Sequence, residues 1–404
     1  MADSLCMYFQ LHQPWRLKWF WPGDPYDNRE RYFDYPLTRS IFEKVASRCY
    51  FPATQLLLDM VREHDFKFSL SITGTLIEQC ELWEPKLIKL FEELISTEKV
   101  ELLGETYYHS LSSLFEDRAE FRDEIEEHRN ALLKLGYEPT GFRNTELIYN
   151  NSIASFAREM GYRSIMTEGV GWVLGNRSPN HVYKAKGSNI RVLPRNYMLS
   201  DDIGYRFSAK WWSEYPLTAT KWAQWVAECE GDVVFVFIDY ETFGEHHPQH
   251  TGILDFLRHL PTELERAGVS CLTPSEVVEE YAPVGEIDVP EFSTISWADS
   301  ERDVSAWLGN EMQRMCFEES KLLRPYVIES VPEFVWIWRR LLTSDHLYYM
   351  STKALSDGDV HAYFSTYPSP FDAALNYMAC VCDLKAKVFR EKAAEKQRKA
   401  ERMK

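Results

Sequence analysis

Two rhythms of apolar and polar positions organise the chain. Apolar runs of strand length lie at residues 5–11, 67–73, 100–104, 141–145, 162–167, 190–194, 233–238 and 269–272. Amphipathic stretches with the spacing of a helix face separate several of them, at 51–64, 85–96, 116–135 and 152–160. Alternation of this kind predicts an α/β fold with a parallel sheet. The run Val233-Val-Phe-Val-Phe-Ile238 is apolar at every position. Such a strand is covered on both faces, as in a barrel wall or a doubly wound sheet. From about Tyr281 the texture changes. Residues 282–290 carry two prolines and a glycine and read as a linker. Helical patterning follows at 303–319, 331–343 and 370–403, the first opening on Ser300-Glu-Arg-Asp303 with acidic residues in its first turn. The expected organisation is a barrel domain over residues 1–283 and a helical domain over 284–404.

Composition narrows the function. The chain has 404 residues, of which 45 are Lys or Arg and 62 Asp or Glu, for a net charge of −17. A surface this acidic lacks the basic face that nucleic acid or an anionic membrane requires, so neither is an expected partner and a neutral substrate fits best. The basic stretch 385–404, with nine cations against three acids, reads as a solvated helix end, because Glu391, Glu395 and Glu401 are interspersed among the cations. Aromatic residues make up 14% of the chain, which suits either stacking on sugar rings or the filling of a large core. The opening segment has neither a basic nor an apolar region of the secretory type, and no stretch approaches the ~20 apolar residues of a membrane span. The eight cysteines are scattered, with no C-x-x-C, and the expected setting is the reducing cytoplasm.

In parallel β/α folds reactive groups gather just beyond the carboxyl ends of the strands. Applied to the runs above, that rule selects His12 and Gln13, then Tyr107, Tyr108 and His109, then Glu146, then Asp239, Glu241, His246 and His247. Glu146 and Asp239 each follow a β-like run, and paired carboxylates facing one pocket are the machinery of glycoside hydrolysis. Either acid could instead cap a following helix, although the long loop 240–248 makes capping the weaker reading for Asp239. His246, His247 and His250 beside Glu245 also suggest a metal cluster, but there is no H-E-x-x-H and Pro248 interrupts a regular helix, so no metal is expected. The chain has no G-x-S-x-G elbow and no glycine-rich phosphate loop.

Five pieces of sequence in order resemble glycoside hydrolase family 57, in particular its shorter α-amylase-type members. They are Leu11-His-Gln-Pro14, Glu101-Leu-Leu-Gly-Glu-Thr-Tyr-Tyr-His109, Gly141-Phe-Arg-Asn-Thr-Glu146, Asp239-Tyr-Glu-Thr-Phe-Gly-Glu-His246 and Thr343-Ser-Asp-His-Leu-Tyr-Tyr349. The resemblance implies a distorted, seven-stranded (β/α) barrel followed by a helical domain that contributes to the substrate cleft. It implies a retaining enzyme on α-1,4-glucans, with Glu146 as nucleophile, Asp239 as general acid and base, and no cofactor. His12, Gln13, His109, Arg143, Glu241, His246, Asp345 and Tyr348 fall at or beside sugar-contacting positions, and Trp297 and Asp299, in a stretch similar to that of the amylase-type members, read as substrate-binding residues of the cleft. Arg143 and His246 stand where some members carry tryptophan, and Gln10 replaces a histidine of transferase-type members. A 4-α-glucanotransferase using the same carboxylates, or a non-catalytic glucan-binding relative, is therefore the alternative to an α-amylase.

Overall fold

The computed structural model describes residues 1–21 and 31–402. It divides into two compact units that are discontinuous in sequence. The first comprises Met1–Gln13, Arg39–Tyr107 and Arg122–Trp297, and the second Pro14–Thr38, Tyr108–Phe121 and Ala298–Lys404. The single cut at 283/284 suggested by the linker thus differs from the observed division. Residues 284–297 stay with the first unit because Ile295 exchanges main-chain hydrogen bonds with Tyr149, at 2.9 and 3.0 Å.

The first unit is built on parallel strands. One sheet has the order β3-β2-β1-β8, from β1 (Ser4–Leu11), β2 (Phe68–Ile72), β3 (Val100–Leu102) and β8 (Val233–Asp239), with β9 (Ser270–Cys271) paired to the start of β1. The other has the order β10-β6-β7-β5-β4, from β4 (Gly141–Phe142), β5 (Ser164–Glu168), β6 (Tyr183–Ala185), β7 (Arg191–Arg195) and β10 (Glu286–Ile287). Main-chain links join the two sheets at both sides. Gly104 bridges Phe142, and the Asn196 N–H donates to the Phe235 carbonyl at 2.7 Å. With these two links the order β1-β2-β3-β4-β5-β7-β8 leads back to β1, the strands pairing in parallel within each sheet except β6, which is antiparallel on β7. This is the distorted β/α barrel that the family resemblance implies. The eight expected strands all form; β6 and β10, short and partly charged, carry no apolar run that would reveal them.

Side-chain alternation sorts the wall into two faces. Leu5, Met7, Phe9 and Leu11 of β1, with Val234, Val236 and Ile238 of β8, pack against the surrounding helices in the larger core. Cys6, Tyr8, Val233, Phe235, Phe237, Met166 and Leu193 fill the interior. The same period puts Gln10, Asp239, Glu168 and Arg195 on the interior face, one step nearer the carboxyl ends of their strands. At the opposite end of the wall, Glu101 is held by the Ser275 amide at 2.8 Å and its hydroxyl at 3.0 Å.

One irregularity bears on the site. Helix Tyr35–Val45 and helix Phe51–Glu63 are joined by a π-helical turn, Ala46–Tyr50, where sequence periodicity predicted only a helix starting at 51. The extra residue of a π turn rotates the following side chains. Here Cys49 Sγ reaches the Tyr240 carbonyl at 3.1 Å and the Tyr50 hydroxyl donates to Glu241. Gly244, at φ 132°, lies so close to the Arg48 carbonyl that any Cβ would overlap it.

The second unit is mainly helical. Its longest elements are Glu311–Ser330 and Pro370–Arg402; Met403 and Lys404, at the end of the expected terminal helix, lie outside the described residues. The helix expected from 303 starts later, because Gly309 and Asn310 interrupt it. A short turn, Ser305–Leu308, comes first, and Asn310 then caps the long helix in a capping box with Gln313. Arg340 lies against the rings of Trp15, Trp336 and Phe33 at 4.1, 4.8 and 5.4 Å, so part of the aromatic excess is core. In the basic terminal helix Lys385 pairs with Glu319 at 2.7 Å and Lys387 with Asp383 at 2.9 Å. Among the described residues no helix is long and apolar enough to cross a membrane, and the eight cysteines are unbridged.

Candidate active site

Asp239 is the last residue of β8 and stands opposite Gln10 in the register with β1. The alternation that turns Phe235 and Phe237 inward turns Asp239 inward too, and it is the first of that series to be partly exposed. Its charge acts on two buried neighbours. It raises the pKa of Tyr8, after the larger effect of burial, and that of Glu241.

Glu146 reaches its place by a different route. The strand expected over 141–145 ends at Phe142, because the chain turns once the Arg143 N–H has bonded the Gly104 carbonyl at 2.8 Å. Glu146 and Leu147 then adopt left-handed conformations, at φ 57° and 51°, in the one-turn helix Thr145–Leu147. Non-glycine residues adopt this region at a cost, and such costs concentrate at functional sites. The turn is braced by the Asn144 amide, which donates to the Ile148 carbonyl at 2.8 Å, and by a hydroxyl contact between Thr106 and Thr145 at 2.7 Å. Next to it, the segment around Ile295 runs antiparallel to Tyr149, and the Trp297 N–H donates to the Glu146 carbonyl at 3.3 Å. That register sets the Trp297 indole against the Glu146 side chain, where its Nε1–H donates to Oε2 at 2.8 Å.

Charged groups line the wall beneath these two carboxylates. The Arg143 guanidinium, fully buried, sits 5.0 Å from the Trp297 ring centroid and 3.8 Å from Glu105 Oε2. Glu105 in turn accepts from the Ser71 hydroxyl and from Gln10 Nε2 at 3.3 Å. Arg195 lies 5.7 Å from the same indole and is pinned by Glu168 at 2.9 Å, Asp201 at 2.6 Å and the Phe237 carbonyl at 2.9 Å. His128 accepts from the Glu105 N–H at Nδ1 (3.1 Å) and donates from Nε2 to the Ile72 carbonyl (2.9 Å). Burial lowers its pKa, in keeping with that neutral tautomer.

His12, the first residue beyond β1, presents its N–H to Glu241 Oε1 at 3.4 Å and its Nδ1 to the Thr73 hydroxyl at 3.1 Å. Glu241 is buried, and its pKa rises to about 8, first through loss of solvation and then through the charge of Asp239; the Tyr50 and His12 donors oppose the rise. Gln13 is buried and its carbonyl accepts from Gln79 Nε2 at 3.0 Å. His246 is held by its N–H to the Glu241 carbonyl at 2.9 Å, and burial lowers its imidazole pKa to about 4. His247 bonds the Ser208 hydroxyl at 2.8 Å and the Gly204 carbonyl at 3.1 Å, a packing role. Among the described residues no three His, Cys, Asp or Glu side chains gather as a metal ion would require.

The structure thus brings together, within the first unit, Glu146 with Trp297 and Arg143, and Asp239 with Glu241 and His12. His109, Asp345 and Tyr348 belong to the second unit. There the His109 carbonyl accepts from the Ser344 N–H at 2.9 Å, next to Asp345. Tyr348 stacks on His361 at 3.7 Å, and Asp299 bonds His361 at 3.0 Å and Lys353 at 2.8 Å. Motif reading passes over Glu105, although residues 101, 103 and 105 share the interior period. It has no signal for Tyr50, Glu168 and Arg195, which act through partners distant in sequence.

Three comparisons bear on this arrangement. The sequence pattern of the family described as Glycosyl hydrolase family 57 matches residues 6–290. A Methanocaldococcus jannaschii protein named "Putative alpha-amylase" is 47% identical over 386 residues, 93% of this chain and 82% of that protein. Among solved structures, a branching enzyme of the same family from Thermococcus kodakaraensis aligns over 96% of this chain and 90% of its own, with TM-score 0.69 and 15% identity. The α-amylase AmyC of Thermotoga maritima covers 96% and 94%, with TM-score 0.61 and 13% identity. A 4-α-glucanotransferase from Thermococcus litoralis aligns at TM-score 0.58 and 17% identity over 89% of this chain, which spans about half, 54%, of that longer protein. At these identities the structural likeness concerns the fold.

Proposed function

The chain belongs to glycosyl hydrolase family 57, and from that premise we propose that it is a retaining α-glucan hydrolase of the α-amylase type, acting on α-1,4 bonds of starch- or glycogen-like chains. What supports the reading is that one barrel carries both carboxylates, each housed differently: Asp239 inward at the end of a strand, and Glu146 on a left-handed turn with its Oε2 bonded by an indole N–H. In the first step Glu146 attacks the anomeric carbon while Asp239 gives its proton to the departing glycosidic oxygen. In the second, Asp239 takes a proton from water, the water oxygen attacks the same carbon, and Glu146 leaves as the carboxylate. The two inversions retain configuration, and the two side chains supply the covalent and proton chemistry without a cofactor.

Sugar-binding roles for His12, Gln13, His109, Arg143, Glu241, His246, Asp345 and Tyr348 are part of the proposal and rest on the family resemblance. The test is a product profile from maltoheptaose, run for the wild type and Glu146→Gln. Shorter products from the wild type and none from the variant support the hydrolase. Longer products would make it a 4-α-glucanotransferase, the activity named for the Thermococcus litoralis relative. No turnover by the wild type would leave a glucan-binding protein and refute the catalytic reading.

A further inference from the structure

The family resemblance makes Trp297 a cleft residue, and an aromatic ring in a cleft can stack on a sugar. Its surroundings argue for another task. Trp297 is tied to Glu146 at two points, by its main-chain N–H to the Glu146 carbonyl at 3.3 Å and by its indole Nε1–H to Oε2 at 2.8 Å. The antiparallel exchange between Tyr149 and Ile295 fixes the register of both segments, so neither contact depends on side-chain rotation alone. Two guanidinium groups lie against the ring, Arg143 at 5.0 Å and Arg195 at 5.7 Å from its centroid. Both cations are anchored: Arg143 is fully buried near Glu105, and Arg195 carries two carboxylates and a carbonyl. A cation over an indole face draws π density toward itself and makes the N–H a stronger donor. A donor fixed on a carboxylate oxygen selects one orientation of that carboxylate and stabilises its charged form.

We propose that Trp297 is a positioning residue for Glu146, an indole N–H held by Arg143 and Arg195 that aims the carboxylate for attack. The inference rests on the reading of Glu146 as the nucleophile. It separates two roles for the same side chain: a sugar platform acts through the ring face and changes substrate affinity, whereas a donor acts through one proton and changes the chemical step.

The experiment uses the full chain in two arms. In the kinetic arm, Trp297→Phe keeps a ring for the guanidinium groups and deletes the donor. On 4-nitrophenyl α-maltoside, kcat should fall by about tenfold to a hundredfold with KM held within about threefold. A raised KM with kcat unchanged would make Trp297 a platform and overturn the proposal. In Glu146→Gly with azide there is no carboxylate to aim, so adding Trp297→Phe should leave the rescued rate unchanged. A further loss as large as that seen in the intact background would also overturn it. In the spectroscopic arm, which does not need Trp297→Phe to fold, indole 15N–1H spectra of the wild type and Glu146→Gln are compared. One indole proton should move upfield well beyond the others when the charged acceptor is removed, and spectra without such a change would exclude the bond. Absence of azide rescue in Glu146→Gly alone would instead count against Glu146 as nucleophile, a separate failure.

Discussion

Glu241 offers a test of the site that needs no substrate. It is a buried carboxyl whose pKa rises to about 8, through burial first and the neighbouring charge of Asp239 second. In the unfolded chain a glutamate titrates near 4.3. Between these values the folded protein holds a proton that the unfolded chain has lost, so stability falls as pH rises. The contribution of this group is fully present below the unfolded value and disappears as pH climbs through about 8. Each unit of pH in that window is worth about 1.36 kcal/mol, so going from pH 5.5 to 7.5 should remove roughly 2–3 kcal/mol. His128 and His246, whose pKa values are lowered by burial, act in the opposite sense, adding stability as pH rises through their titration range. The comparison with Glu241→Gln isolates the one group. Glutamine keeps an oxygen to accept from the Tyr50 hydroxyl and the His12 N–H but cannot ionise. Urea unfolding of both proteins at several pH values between 5.5 and 8 gives the difference curve. The wild type should lose ground steadily to the variant with the slope above, whatever the offset between them. Parallel stability curves would refute the claim that Glu241 is held protonated beside Asp239.

Three more outcomes follow from the same geometry. Arg195→Met removes the cation between Glu168 and Asp201 and leaves two buried carboxylates unbalanced; unfolding free energy should drop by about 3–5 kcal/mol in denaturant titration. Gly104→Ala sets a methyl group on the buried Tyr162 ring where the strand ring is joined to β4, and should cost about 1–3 kcal/mol by the same measurement, an unchanged midpoint contradicting the packing described. Asp239→Asn should slow maltooligosaccharide cleavage by about a hundredfold to ten-thousandfold and spare dinitrophenyl glycosides far more, since only the former need the leaving oxygen protonated; equal losses on both would move the acid role elsewhere.

What the sequence discloses follows from the range of the interactions involved. Strand β8 is legible because burial on both faces demands an apolar residue at every step, and Asp239 is legible as the polar interruption of that run. The helix break at Gly309-Asn310 is equally local, a cap and a capping box that a continuous pattern of helix-forming residues conceals. The π turn at Ala46–Tyr50 is not local in the same sense. Its sequence continues a helix, and what holds the extra residue is the loop 240–244, nearly two hundred positions away, through Tyr50, Cys49 and the gap at Gly244. Short strands such as β6 and β10 escape because two or three residues contain no period to detect.

The two carboxylates show how far this distinction reaches into the site. Asp239 inherits its direction from the pleat of a seven-residue strand, so its inward aim is settled once β8 is in the wall. Glu146 inherits nothing comparable: β4 stops four residues earlier, and a left-handed turn sets its aim. Such a turn by itself leaves the side chain several rotamers. Asn144, at the head of the turn, braces its backbone, and the residue that removes the side-chain freedom is Trp297, supplied by the segment that pairs with Tyr149. A carboxylate on a regular strand can therefore be predicted from its neighbours in sequence, whereas one on an irregular turn requires an external donor. It is for this reason that the motif around Glu146 is incomplete without a tryptophan 151 positions downstream.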